Sequence, residues 1–135
     1  MTREEFIQIL DKKGYSSYKI EGDKIIVIHN GYVLLESLET LPPGVEFKNG
    51  GGVLLESLET LPPGVEFNNR GYVNLESLKT IHPGVEFNNR GDVYLDSLIG
   101  YYFHEWKGFS DWKGNIEGID SNTLLNGMIK RGIFL

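Results

Sequence analysis

The chain has 135 residues, a formal net charge of −6, 40% hydrophobic and 24% charged residues, and no cysteine. That size suits one folded domain with a modest core, and the composition is globular rather than disordered. Lacking cysteine, it can have no disulfide framework, zinc–thiolate centre or cysteine nucleophile. The acidic balance argues against direct binding of a nucleic-acid backbone. No apolar run approaches the ~20 residues that cross a bilayer.

The opening Met-Thr-Arg-Glu-Glu is acidic and has no apolar stretch of the signal-peptide kind. Thr2 and Glu5 form a capping-box pattern for a helix over about residues 3–13, with Phe6, Ile9, Leu10 and Lys13 spaced for one face and its edge. Gly14 is placed to end it. Tyr18–Ile20 and Ile25–Ile28 flank Glu21-Gly22-Asp23, which predicts a β-hairpin. Ile25 and Val27 stand twenty residues before Val45 and Phe47, so the hairpin reads as a degenerate first coil. Residues 1–30 are thus an N-terminal cap of helix plus hairpin.

A repeat follows. Residues 31–50 read GYVLLESLETLPPGVEFKNG, 51–70 read GGVLLESLETLPPGVEFNNR, and 71–90 read GYVNLESLKTIHPGVEFNNR; GDVYLDSLIG continues the pattern over 91–100. The period is 20 residues without insertion, and the first two copies differ at three positions, including Tyr32 against Gly52. Val33, Val53, Val73 and Val93 make one apolar column, and Leu35, Leu55, Leu75 and Leu95 a second, two residues on and therefore on the same face of an extended chain. Leu38 and Leu41 types point inward from a turn, and Val45-x-Phe47 types form a second short strand. One copy cannot bury its apolar face alone, whereas stacked copies share a core. The fold expected is mainly β: a short single-domain β-solenoid of 20-residue coils with two short strands each, spaced about 4.8 Å apart.

The corners carry their own expectations. Pro43-Gly44, Pro63-Gly64 and Pro83-Gly84 suit the central pair of a type II turn. Gly31, Gly51, Gly71 and Gly91 mark the other bend, where positive φ is expected. Asn49, Asn69 and Asn89 are expected to form a ladder that satisfies backbone groups of the bend and links coils through amide bonds, with Ser37, Ser57, Ser77 and Ser97 as a second polar column.

Residues 101–135 change character. Tyr101, Tyr102, Phe103, Trp106, Phe109 and Trp112 crowd together, and a helix is predicted over about 121–131, capped by Asp120 or Ser121, with Leu124, Leu125, Met128 and Ile129 as its stripe and Gly132 after it. Gly127 inside that helix implies close packing against a neighbour. This segment reads as an aromatic-rich helical cap, with Trp106 and Trp112 as candidates for a partner surface.

No constellation for catalysis, metal or cofactor is legible. His29, His82 and His104 lack ligand spacing, and there is no phosphate-binding or nucleophile-elbow motif. Asp111, Glu117 and Asp120 could pair as carboxylates, but their spacing does not favour it. The distinctive chemistry is columnar. Glu36, Glu56, Glu76 and Asp96 stack, as do Glu46, Glu66 and Glu86, with Glu39 and Glu59 as a shorter column broken by Lys79. Arg70 and Arg90 are expected to offset part of that charge. The repeats at 31–100 hold ten acidic and four basic residues, so they carry the whole net charge. These columns read as a solvated outward face or, alternatively, as a candidate binding surface for a basic protein partner or a cation.

The repeat SLxxLPPGVxFNNRGxVxL resembles the L-x-x-L-P-x-G-L-x-V-x-G-x-L-x-L repeats of tailed-phage and bacterial proteins, which are similar to leucine-rich repeats but have two short strands and no helix. The resemblance covers about residues 1–98. It departs in the Val after the Gly, the Phe of the second strand and the Asn-Asn-Arg bend. It implies architecture and no catalytic residues. Three functions follow as expectations: a non-catalytic interaction or scaffold module, a phage-encoded inhibitor of a host nucleic-acid-binding system acting by acidic mimicry, and a carbohydrate-active solenoid. A cytoplasmic location in a bacterial host is expected, as a monomer or a dimer.

Overall fold

The chain folds as the 20-residue period dictates. The computed structural model describes residues 1–98, 115–116 and 119–132. Helix α1 spans Arg3–Lys12, and its capping box forms: Glu5 N–H donates to Thr2 Oγ1 (3.1 Å) and Thr2 N–H to Glu5 Oε1 (3.0 Å). Gly14 N–H donates to Asp11 C=O and Tyr15 N–H to Leu10 C=O, so a paired C-terminal motif closes the helix. Phe6 and Leu10 lie fully buried. The hairpin of β1 (Tyr18–Glu21) and β2 (Lys24–Val27) follows, joined by Gly22-Asp23.

The strands β3 (Val33–Leu34), β4 (Val45–Phe47), β5 (Val53–Leu54), β6 (Glu66–Phe67), β7 (Val73–Asn74), β8 (Glu86–Phe87) and β9 (Val93–Tyr94) sort by phase within the repeat. One sheet has the order β1-β2-β4-β6-β8 and the other β3-β5-β7-β9, with every coil-to-coil pairing parallel. Registers advance by the repeat length: Val33 pairs with Val53, Val53 with Val73, and Val73 with Val93. Ile25 and Val27 pair with Val45 and Phe47, so β2 is the second-strand half of a first coil. This is a β-solenoid of about four coils.

The core runs between the sheets as stacked identical side chains. Phe47, Phe67 and Phe87 stack face to face with centroids 5.2 and 5.0 Å apart. Val33 and Leu35 types fill the facing sheet, while Leu38 and Leu41 types close the turn side. Aromatic stacking and full burial act together here, because a parallel register places like against like.

The bends differ from expectation in two ways. Gly44 and Gly64 have φ of 78° and 82°, as a type II corner requires, but Gly84 lies outside the left-handed region. His82 stands there in place of a proline, and the corner closes with Val85 N–H donating to His82 C=O (3.1 Å). At the opposite bend Gly31, Gly51, Gly71 and Gly91 do not have positive φ. Close approach of successive coils selects glycine at the last three instead. A Cβ on Gly71 would lie 2.6 Å from Gly52 N, and one on Gly91 2.7 Å from Tyr72 N.

The asparagine ladder forms and satisfies backbone groups of the bends, its acceptors being their carbonyls. Asn49 Nδ2 donates to Gly31, Gly51 and Gly52 C=O, and Asn69 Nδ2 to Gly51, Gly71 and Tyr72 C=O, all at 2.9–3.1 Å. Each amide therefore ties its own bend to the preceding coil. Ser57 Oγ donates to Glu36 C=O and Ser97 Oγ to Glu76 C=O (2.6 Å), so the serine column also links coils.

Helix α2 (Ser121–Lys130) closes the far end. Leu125, Met128 and Ile129 are buried, with Leu124 partly so. Asn126 imitates the next strand: its Oδ1 accepts from Phe87 N–H and its Nδ2 donates to Phe87 C=O, both at 2.8 Å. Asn122 Nδ2 donates to Asn89 C=O (2.6 Å) and Asn89 Oδ1 (3.1 Å). Among the described residues Gly127 has no close neighbour, since a Cβ there would meet none of them within 4 Å. Gly127→Ala is therefore expected to stabilise the protein by about 1 kcal/mol, the helix-propensity difference alone. Urea unfolding of the variant checks this.

Candidate functional site

Alternation decides what the solenoid shows to its surroundings. With Val33 and Leu35 types facing inward, positions 32, 34 and 36 of each coil must face outward. The β3-β5-β7-β9 sheet thus presents Tyr32, Leu34, Leu54, Tyr72 and Tyr94, with Asn74 and Asp92 among them, beside the column Glu36, Glu56, Glu76 and Asp96. Tyr32 is 57% exposed, Leu34 41% and Tyr94 39%, which makes them prominent among the described surface. Tyr72 joins the other two tyrosines, with centroids 6.0 Å from Tyr32 and 5.8 Å from Tyr94. Gly52 makes that contact possible. A Cβ at position 52 would lie 3.0 Å from the Tyr72 ring, so the missing tyrosine of the second coil is the seat on which Tyr72 leans. Packing against these neighbours, chiefly through burial and then through Tyr32, Tyr94 and Glu56, pushes the Tyr72 hydroxyl above the usual phenol range.

The two long acidic columns behave differently. Glu46 is buried and held by Lys24 Nζ at 3.2 Å, which also reaches Glu66 at 3.5 Å, and Lys48 Nζ lies 3.8 Å from Glu46. Asn68 Nδ2 donates to both Glu46 Oε2 (3.2 Å) and Glu66 Oε2 (3.4 Å), and Asn88 Nδ2 to Glu86 Oε2 (3.4 Å). The hydrogen bond to Glu46 and the charge of Glu66 hold Lys24 above the usual lysine range. This column is largely an internal polar clasp between coils. The offset expected from Arg70 and Arg90 comes from Lys24 and Lys48 instead, since neither arginine reaches a carboxylate within 4 Å among the described residues. In the short column Lys79 Nζ pairs with Glu59 Oε1 at 3.1 Å.

The column Glu36, Glu56, Glu76 and Asp96 has no basic partner within 4 Å among the described residues. Glu56 sits inside it, and partial burial followed by repulsion from Glu36 and Glu76 raises its pKa above the ordinary glutamate value. A raised carboxyl pKa means that the ionised form is strained in the fold, and protonation relieves that strain as pH falls. Glu56→Gln is expected to raise the melting temperature near pH 7 and to lose that advantage by about pH 3, where the native carboxyl is neutral too. Differential scanning calorimetry at both pH values reads this directly.

Trp106 and Trp112, like Asp111 and Glu117, lie outside the described residues, and so does the aromatic part of the C-terminal cap. No group of three or more His, Asp or Glu among the described residues could hold a metal ion. No helix among them is long and apolar enough to cross a membrane. Two residue sets escaped the sequence reading. The outward tyrosines were findable from the alternation that placed the valines inward. Lys24 was not, because the hairpin supplies it from outside the repeat. No protein-family model matches the chain, and no curated protein or solved structure matches it either.

Proposed function

We propose that this protein is a non-catalytic interaction module whose binding surface is the outward face of the β3-β5-β7-β9 sheet. One observation carries the reading: an exposed patch of tyrosine and leucine lies directly beside four stacked carboxylates without basic partners among the described residues. Tyrosine supplies large contact area at low entropic cost, and an aromatic and aliphatic patch beside one sign of charge favours a complementary partner. The partner is a protein with a basic surface. The phage-like repeat supports a phage-related or bacterial origin for the module.

The test compares the native protein with the Glu56→Lys/Glu76→Lys double variant in affinity capture from bacterial lysate. A partner held at low salt, released near 0.5 M salt and missed by the double variant supports the reading. A partner held equally by both proteins refutes it. The acidic-mimicry inhibitor draws on the same column. It is favoured if the captured protein is a nucleic-acid-binding one and duplex DNA competes for it.

A further inference from the structure

The dimensions of this face select the shape of what binds it, an inference that rests on the interaction surface just proposed. Four strands stack across it, so successive carboxylates of the Glu36 column repeat at the inter-strand spacing of about 4.8 Å and extend over roughly 14 Å. From the Tyr32 column to the Glu36 column is four residue steps, at most roughly 13 Å, because Glu36 already stands in the turn after β3. An α-helix with its side chains is about 10–12 Å across.

A helix laid along the solenoid axis also matches the repeat of charge. Positions i, i+3, i+7 and i+10 form one stripe, and at ~1.5 Å rise per residue they average about 5.0 Å apart. Basic residues there would meet one carboxylate per coil with little accumulated error. A β-strand laid the same way repeats its same-face residues every ~6.6 Å and drifts by roughly 5 Å over three steps. The apolar patch lies to one side of the carboxylates only, so it takes an apolar stripe adjoining the basic one. Exposed Arg70, beside Tyr32 and Tyr72, marks the opposite flank.

The geometry points to a basic amphipathic α-helix of about three turns as the occupant of this face, running parallel to the solenoid axis. Its basic stripe faces Glu36, Glu56, Glu76 and Asp96, and its leucine- or aromatic-rich stripe lies over Tyr32, Tyr72 and Tyr94. A second copy of the chain fits less well, because it brings another net charge of −6 to the same place.

The experiment uses two labelled 15-residue peptides of identical composition, read by fluorescence anisotropy against the full-length protein. One carries arginine at i, i+3, i+7 and i+10 with leucine on the neighbouring stripe. The other carries arginine at i, i+2, i+4 and i+6, the spacing of an extended chain. Oligo-arginine serves as a third probe, and Glu56→Gln/Glu76→Gln as the face variant. The helical peptide is expected to bind at least tenfold more tightly than its isomer, to gain helical circular dichroism on binding, and to weaken about tenfold on the variant. Equal or tighter binding of the isomer or of oligo-arginine, still sensitive to the variant, overturns the helix and keeps the surface. Binding of all probes that ignores the variant, or no binding, overturns the helix and counts against the surface. Dimerisation of the native protein by sedimentation, abolished by Tyr72→Ala, gives the face to a second copy and overturns the proposal.

Discussion

Replacing Phe67 with alanine is expected to cost about 3–5 kcal/mol of stability, the range for a fully buried phenylalanine whose site cannot collapse. Phe67 is the middle member of the stack, with Phe47 on one side at 6° between ring planes and Phe87 on the other at 3°. It therefore loses two ring contacts where Phe47 and Phe87 each lose one within the stack, at roughly 0.5–1.5 kcal/mol per contact beyond the buried area. The backbone cannot close the gap, because hydrogen bonds on both sides hold β6 in register between β4 and β8. The ordering Phe67 above Phe87 in destabilisation, measured by urea unfolding, checks the stack specifically. A loss at Phe67 below about 1.5 kcal/mol would mean that neighbours refill the space.

A second large effect is expected at Asn69, from one atom. Asn69 is 1% exposed, and its Nδ2 donates to three carbonyl oxygens at 3.0–3.1 Å. Asn69→Asp keeps the shape and turns that donor into an acceptor facing three acceptors. Ionised, it is a buried charge without a partner, and the expected cost at neutral pH is about 3–5 kcal/mol. The folded carboxyl is pushed above its unfolded value of about 3.9, so the unfolded state is the one that releases the proton first. Stability of the variant is thus nearest to native below about pH 3.9, where the neutral acid still offers one O–H donor, and falls as pH rises. Unfolding of both proteins at pH 3 and pH 7 reads the sign. A loss independent of pH would show that the side chain had turned out to water.

How much could be read beforehand follows from what a repeat reports. Residues twenty apart are neighbours, so the valine, leucine and phenylalanine columns and the parallel register came directly from the period. The capping box and hairpin were equally legible, because their signals are local. Glycine was ambiguous, because two physical demands select it. The bend at Gly71 looked like a positive-φ site, whereas the preceding coil's backbone leaves no space for a Cβ there. At Gly127, where close packing was inferred, no described residue lies within 4 Å of a Cβ. The two acidic columns looked equivalent in sequence and are not, because Lys24 sits where later coils carry a corner glycine and so has no counterpart in the period. The tyrosine patch was hidden by a difference between copies: Gly52 reads as a lost aromatic but is what lets Tyr72 lean toward Tyr32.

The amide of Asn126 bonds to Phe87 as another strand would, and the hairpin meets Val45 and Phe47 as another coil would. Both caps therefore address a surface that every coil in the stack presents. The number of coils is free to vary without redesigning either end, provided that it varies in whole units of twenty residues. Excision of 51–70, whose sequence nearly duplicates 31–50, would join like to like and leave a shorter protein with the same two lids. Each unit removed or added shortens or lengthens the outward face by one carboxylate and about 4.8 Å. The molecule is in this sense a ruler: the length of its outward face is set by a whole number of copies of one twenty-residue segment.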